Sequence, residues 1–237
     1  MSTRVGVVDL RQYTVVPGRR DVLVDLFDRY FVEGQEAVGI HVVGQFRDLD
    51  DADRFVWLRG FESMAARGAA LPRFYYGPVW KTHGDDANAT MFDSDNALLL
   101  EPLDVGASYP QFDGERTCGH TQSVVAITVA YLDGPIAPGD RAVATQIGSI
   151  LASLGAEVVA ILTTHHAENN FPPLALRDEH VLVWVTRFPD DAAHAAHQGR
   201  LANSDAWHDA QRHLAGRSKP LRMQRLRLRP TVGSQLR

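Results

Sequence analysis

Asp53-Arg54-Phe55-Val56-Trp57-Leu58-Arg59-Gly60-Phe61 reads as a strand that empties into a helix, and the chain writes it twice. His180-Val181-Leu182-Val183-Trp184-Val185-Thr186-Arg187-Phe188 is the second, weaker copy. In both, an aromatic follows the Trp by four residues (Phe61, Phe188) and a second Trp follows by 23 (Trp80, Trp207). The four Trp of this 237-residue chain thus fall into two equal pairs. Two copies of one folding unit are expected.

Working outward from Trp57, an acidic turn at Asp48–Asp53 joins this strand to a preceding one over Ile40–Phe46, as the two arms of a hairpin. Before that, residues 5–15 have strand character. Pro17-Gly18 then opens a helix whose apolar stripe is Leu23, Leu26, Phe27, Tyr30 and Phe31, stopped by Gly39. After Trp57 the pattern predicts a helix from about Glu62 to Pro72, with Met64, Ala65, Gly68 and Leu71 on its packing face. An irregular aromatic segment at 74–83, a polar loop at 84–96 and a last strand, Asn96–Pro102, complete the unit. The order β-α-β-β-α-β is the ferredoxin-like unit.

Around Trp184 the order recurs. Ser123–Leu132 reads as a strand, and Pro138-Gly139 opens a helix striped by Val143, Ile147, Ile150, Leu151 and Leu154, with Gly155 as its stop. Strands at Glu157–Thr163 and around Trp184, a polar helical stretch at 190–214 and a strand at Leu221–Leu228 follow. The expected division is a first ferredoxin-like domain at 1–104, a linker at 105–122 and a second domain at 123–237. Each sheet has helices on one face only, so the two bare faces are expected to meet in an α+β barrel. That pairing can be made within the chain or between chains, and self-association into a homo-oligomer is expected.

Composition narrows the function classes. With 45% hydrophobic residues the chain can bury a sizeable core, and a net charge of −5 leaves no basic footprint for nucleic acid. The basic run from Arg217 to Arg229 alternates with apolar residues, as a strand with one solvated face does. Cys118 is the single cysteine, so an intrachain disulfide is excluded, and its polar, Gly-flanked setting marks a linker residue. No apolar h-region precedes Val5 and no apolar run nears ~18 residues. No membrane partner and a cytoplasmic location are the expectation.

Alternation along the strands sorts the two faces. Val8, Leu10, Val42, Phe46, Val56 and Leu58 are assigned to the helices of the first unit, and Val181, Val183 and Val185 to those of the second. Inside the barrel this places Asp9, Arg11, Tyr13, His41, Gln45, Arg47, Phe55, Trp57 and Arg59 opposite Ile127, Val129, Tyr131, Val159, Ile161, His180, Leu182 and Trp184. A polar, Arg-rich wall facing an apolar, Trp-bearing one makes a small-molecule pocket. It also makes a filled interior in which Asp9 pairs with Arg11 or Arg59.

Leu10-Arg11-Gln12-Tyr13-Thr14, Pro17-Gly18, Gly44-Gln45-Phe46-Arg47 leading into Arg54–Phe61, and Phe74-Tyr75 with Pro78-Val79-Trp80-Lys81 together resemble the NIPSNAP family over about residues 5–102. The resemblance implies the dimeric α+β barrel fold, shared with antibiotic-biosynthesis monooxygenases and related binding proteins. It implies no activity, because the family offers no agreed catalytic residues to carry over, and the fold hosts many functions.

The reading preferred is a binding protein for a small, flat, anionic molecule in the barrel, held by Arg11, Tyr13, Arg47, Trp57, Arg59 and Trp184. A second reading is a cofactor-independent monooxygenase or a lyase/isomerase. There His41 is the base, Arg11, Arg47 and Arg59 hold the negative charge, and Trp57 and Trp184 stack the ring. A third is a scaffold whose exposed aromatics Phe74, Tyr75 and Tyr76 form an interface, against the alternative that they plug the barrel end. No cofactor and no metal are expected. The His194/His197 and His165/His166 pairs lack a third convergent ligand, His208 and His213 lie further along the same polar stretch, and nothing distinguishes His83 from His180 as a haem ligand. Gly-rich phosphate loops, nucleophile elbows and paired-carboxylate signatures are absent from the sequence.

Overall fold

The computed structural model describes residues 5–104, 116, 119–218 and 222–237. Cys118, Lys219, Leu221 and most of the expected 105–122 linker lie outside the described residues. Eight strands form one closed barrel. The first half gives β1 (Val7–Val15), β2 (His41–Asp48), β3 (Arg54–Phe61) and β4 (Met91–Pro102). The second gives β5 (Val124–Leu132), β6 (Glu157–Thr164), β7 (His180–Phe188) and β8 (Arg222–Pro230). Round the ring the order is β4-β1-β3-β2-β8-β5-β7-β6, so each half contributes four adjacent strands in the same internal order. Every pairing is antiparallel, and the halves close on each other within one chain.

The two seams between halves are short. Phe46, Arg47 and Asp48 face Pro230, Arg229 and Leu228 at one; Leu100, Glu101 and Pro102 face Thr164, Thr163 and Leu162 at the other. Inside a half the ladders run longer, from Val124↔Phe188 to Leu132↔His180 in β5·β7.

Helices cover the outside. They are α1 (Arg20–Leu26), a π-helical turn (Phe27–Phe31), α2 (Val32–Glu36), α3 (Met64–Tyr75) and α4 (Pro78–Asn88) in the first half. The second half carries α5 (Pro138–Ser153), α6 (Asp191–Ala202) and α7 (Asp205–Ala215). Gly39 and Gly155, at φ of 90° and 91°, stop their helices as expected of residues without a Cβ. The π turn widens the helix by part of a residue, which drops Tyr30 off the predicted stripe. Tyr30 is exposed and stacks on His83 at 3.9 Å, while Phe27 and Phe31 stay buried. Where an irregular segment and a loop were expected at 74–96, α3 runs through Pro72 to Tyr75 and α4 follows at once. Pro78 at its first position presets the helical φ. Each Trp pair therefore spans like elements: Trp57 on β3 with Trp80 on α4, Trp184 on β7 with Trp207 on α7.

The expected facing is reversed for β1, β2, β3 and β7, holds for β5 and is split on β6, where Val159 faces the bore and Ile161 the helices. The bore is filled by Val8, Leu10, Phe46, Val56, Leu58, Leu98, Leu100, Val181, Val183, Val185, Leu226 and Leu228, together with Ile127 and Val129. Only Ile127, Val129, Tyr131 and Val159 of the expected lining belong there. Near one end, Gln12 and Gln224 exchange amide hydrogen bonds of 3.0 and 2.8 Å across the bore, and the Tyr131 hydroxyl donates to the Gln224 Oε1 at 3.3 Å. Leu236 of the C-terminal tail is also buried in this core. Trp57, Phe55 and Tyr13 instead pack with Phe27, Phe31, Leu71 and Phe74 beneath the first-half helices. Leu182 and Trp184 pack beneath those of the second, and Ile161 packs against them. Phe74 and Tyr75 join the first-half helix layer and do not plug the barrel; Tyr76 is exposed. Among the described residues, no helix is long and apolar enough to cross a membrane.

Candidate functional site

Antiparallel register assembles the most highly charged buried group of the first half. Asp9, Arg11 and Tyr13 alternate onto the outer face of β1, where they face Arg59, Trp57 and Phe55 of β3. Ser63 caps α3 by accepting from the Ala66 amide at 3.2 Å, and one turn later Arg67 comes down onto the same face. Asp9, Arg11, Arg59 and Arg67 are each at most 1% exposed.

Asp9 is the centre. Arg59 Nε donates to its Oδ2 at 2.9 Å and Arg67 Nε to its Oδ1 at 3.1 Å. Arg59 Nη1 donates to Gln35 Oε1 on α2 at 3.3 Å and to the Tyr75 hydroxyl on α3 at 3.2 Å. Its guanidinium lies 4.9 Å from the centre of the Trp57 ring, within cation–π range. Arg11 Nε donates to the Tyr13 hydroxyl at 3.0 Å and its Nη2 to the Ser94 carbonyl at 3.0 Å. A loop from the other half closes the group. Arg67 Nη1 donates to Asn169 Oδ1 (3.2 Å) and Asn170 Oδ1 (2.8 Å), and Phe171 stacks on Tyr75 at 5.7 Å.

The charges do not balance. Among the described residues Asp9, bonded to Arg59 and Arg67, is the one carboxylate bonded to any of the three guanidiniums, so the group carries two more positive charges than negative. Arg11 Nη1, Arg67 Nη2 and Trp57 Nε1 are buried donors without a hydrogen-bond partner. Burial alone would raise the Asp9 carboxyl, but the charges of Arg59, Arg67 and Arg11 outweigh it and hold Asp9 below the usual carboxylate range. Burial pushes the Tyr13 phenol up, against the pull of Arg11. Burial likewise lowers Arg67 despite its contact with Asp9, whereas in Arg59 the Tyr75 and Asp9 contacts override burial and raise it. Neither Asp9 nor Tyr13 is thus poised to exchange a proton near neutrality.

Of the residues proposed from sequence, Arg11, Tyr13, Trp57 and Arg59 come together, beneath the helices and outside the bore. Arg47 does not join them. It lies at the far end of β2, half-exposed, and pairs with Asp21 at 2.9 Å. Trp184 is in the other half, its Nε1 donating to the Ala144 carbonyl on α5 at 3.0 Å, so it cannot stack one ring with Trp57. His41 is half-buried at the start of β2, where it faces Gly60 of β3. Arg67 and Gln35 were missed, and Tyr75, expected at an interface or plugging the barrel end, joins this group instead, as do Asn169 and Asn170 of the long second-half loop. Arg67 had a signal: with Ala70, Leu71 and Phe74 it forms the buried stripe of α3 at i, i+3, i+4, i+7.

The histidines lie elsewhere. His165 is 3.7 Å from Glu101, and the His166 and His180 rings are 5.2 Å apart. Among the described residues no three His, Cys, Asp or Glu side chains converge as metal ligands would. His197 packs on Phe188, and its Nδ1 donates to the Leu154 carbonyl at 2.9 Å. Burial lowers both His194 and His197 below the ordinary imidazole range. Unfolded, each takes a proton at about 6.5; folded, each resists it. Stability is therefore full above that value and falls as pH drops towards the folded pKa values. A lower melting temperature at pH 5.5 than at pH 7.5 is expected, with the gap narrowed in His197→Asn. An equal gap in the variant would assign the dependence to other groups.

Comparison with known proteins agrees with this architecture. No curated protein matches the sequence. An anthrone oxidase-like protein shares the fold over 98% of this chain and 94% of its own, with a TM-score of 0.62 at 11% identity. A candidate monooxygenase from Lactobacillus acidophilus NCFM does so over 98% and 97%, with a TM-score of 0.59 at 10% identity. A NIPSNAP family protein from Agrobacterium tumefaciens str. C58 aligns with 42% of this chain and 87% of its own, with a TM-score of 0.39 at 15% identity. For the two whole-chain matches, at such identities, the likeness is one of fold. The NIPSNAP family model matches residues 8–103, which span β1 to β4 and hold Asp9, Arg11, Arg59 and Arg67. The first half of this chain is thus what matches the NIPSNAP family.

Proposed function

We propose that the protein binds a small, flat, anionic molecule at Arg11, Tyr13, Trp57, Arg59 and Arg67, beneath the first-half helices. The surplus of two buried positive charges around Asp9 carries this reading. Buried charge without a counter-charge is expensive, and an anion that takes up the free donors of Arg11, Arg67 and Trp57 removes that cost. Trp57, Tyr13, Phe27 and Tyr75 supply aromatic faces for a planar body. The loop at 165–179 covers the group, through contacts of Asn169, Asn170 and Phe171 with Arg67 and Tyr75, and would have to move for a ligand to enter.

The catalytic alternative is the cofactor-independent monooxygenase or lyase/isomerase read from the sequence, and the two whole-chain fold neighbours bear the names of a monooxygenase and an anthrone oxidase-like protein. Binding without turnover fits this group better. Asp9 is held ionised and Tyr13 is held protonated, so neither exchanges a proton near neutrality. We also take residues 1–104 and 123–237 as tandem ferredoxin-like repeats, a reading supported by the shared strand order and the matched Trp pairs.

Calorimetric titration with 1-hydroxy-2-naphthoate tests the site. Saturable binding is expected in the wild type, with recovery of the unaltered probe. Arg11→Met removes one surplus charge and should weaken binding by about 10-fold or more, the worth of one hydrogen bond to a charged group, without lowering the melting temperature. Equal affinity in the variant overturns the assignment, and oxidised product would restore the catalytic alternative.

A further inference from the structure

The register that builds the Asp9 group also locates its counterpart in the second half. Trp57 faces Arg11 across β1·β3, and Trp184 faces Thr128 across β5·β7. Two residues on, Arg59 faces Asp9, whereas Thr186 faces Ala126. At the three positions where the first half carries Asp9, Arg11 and Arg59, the second carries Ala126, Thr128 and Thr186. The charges and the bulk are both gone.

A cavity of about 250 Å³ stands there, with those three residues in its lining. Phe188 and the buried Trp207 of α7 give it aromatic walls. Its cation is Arg225 of β8, which faces Thr128 across β5·β8. Among the described residues the Arg225 guanidinium has no ion pair, unlike its neighbours Arg227 and Arg229, which both pair with Asp191. His197 also lines the cavity. Its Nδ1 donates to Leu154, and burial keeps the ring neutral, so its Nε2 is left as an acceptor. Among the described residues, no carboxylate lines the space.

The Arg225 cation, the His197 acceptor, two threonine hydroxyls and two aromatic rings around a volume of one small ring, with Gln198, His208 and Gln211 as further polar lining, specify a ligand class. We infer that this cavity is a second binding site, separate from the Asp9 group, for a single-ring aromatic monoanion bearing a hydroxyl. Arg225 takes the carboxylate, Trp207 and Phe188 the ring, and His197 accepts from the hydroxyl. This site stands whether or not the first-half group binds anything, since it rests on a different cavity and different residues.

The probe is 4-hydroxybenzoate, followed by calorimetric titration of the full chain. One saturable site is expected, weakened 10-fold or more by Arg225→Gln, an exposed position where folding is not at stake. The neutral analogue 4-hydroxybenzyl alcohol should bind at least 10-fold more weakly than the acid. Thr186→Leu, which fills the cavity, should abolish binding while Arg11→Met leaves it unchanged. No binding up to millimolar probe, or binding indifferent to Arg225→Gln, overturns the inference. So does binding lost in Arg11→Met but retained in Arg225→Gln, which would assign the probe to the first-half group.

Discussion

Asp9→Ala is expected to lose about 3–5 kcal/mol of folding stability, because it leaves three buried guanidiniums with no carboxylate. Arg59 and Arg67 both bond to Asp9, and neither can reach water at 0% exposure. Their remaining partners, Gln35, Tyr75, Asn169 and Asn170, are neutral and supply hydrogen bonds but no charge. For a chain of this size each kcal/mol moves the melting temperature by about 2–4 °C, so the loss is easily read from thermal or urea melts. Acid should act in the same direction. The folded pKa of Asp9 lies below the ordinary aspartate value of 3.8. Its contribution is thus full above that value and disappears as pH falls through the folded pKa. A loss below about 1 kcal/mol, the range of an exposed ion pair, would show that the guanidiniums are balanced by something other than Asp9. In that event the argument for an anion at this group fails as well.

Phe46→Ala should cost about 3–5 kcal/mol, the usual range for removing a buried aromatic from a packed core. Phe46 is fully buried in the bore among strand residues of both halves, and its ring lies tight against Gly44, where an added Cβ would come within 2.5 Å. The prediction separates a filled barrel from a ligand-binding one. In a bore built to hold a ligand, truncating a lining side chain enlarges an existing space and disturbs few contacts. A urea midpoint that hardly moves would therefore return the bore to consideration as a site. Midpoint and slope should be compared together, since a change in slope signals loss of two-state behaviour.

Much of the architecture was legible. The matched Trp spacing, the Gly39 and Gly155 stops and the hairpin at Asp48–Asp53 all follow from local chemistry, and the strands fall close to their predicted bounds except β4, which starts at Met91 and not at Asn96. The facing of the strands was not legible, for a physical reason. Alternation identifies a face only when one side meets water. Here helices cover the outside and the opposite half covers the inside, so Val8 and Asp9 are both 0% exposed. Polar residues were taken to line an inner pocket; they serve an ion cluster under helices, fixed by Arg67 on α3, which strand alternation cannot reveal. Side-chain size was the better guide. Phe55 and Trp57 match the aromatic helix residues Phe27, Phe31 and Phe74, while the smaller Val and Leu fill the bore. α4 was hidden by its polar composition, though Gly77-Pro78 marks its start and Trp80, Gly84 and Ala87 form its inward stripe.

The two short seams have a consequence for how the ring assembles. Each joins strands far apart in sequence, Phe46 with Pro230 and Leu100 with Thr164, through three residue pairs. Closing such long loops is entropically costly and is repaid late, so the two four-stranded sheets should form before the ring does. Until then each presents a bare Val- and Leu-rich face and unpaired edge strands, β2 and β8 among them, which are features that draw unfolded copies together. Hydrogen exchange in the native protein should show the same hierarchy, with the seam amides near Arg47 and Glu101 opening before those of β5 and β7.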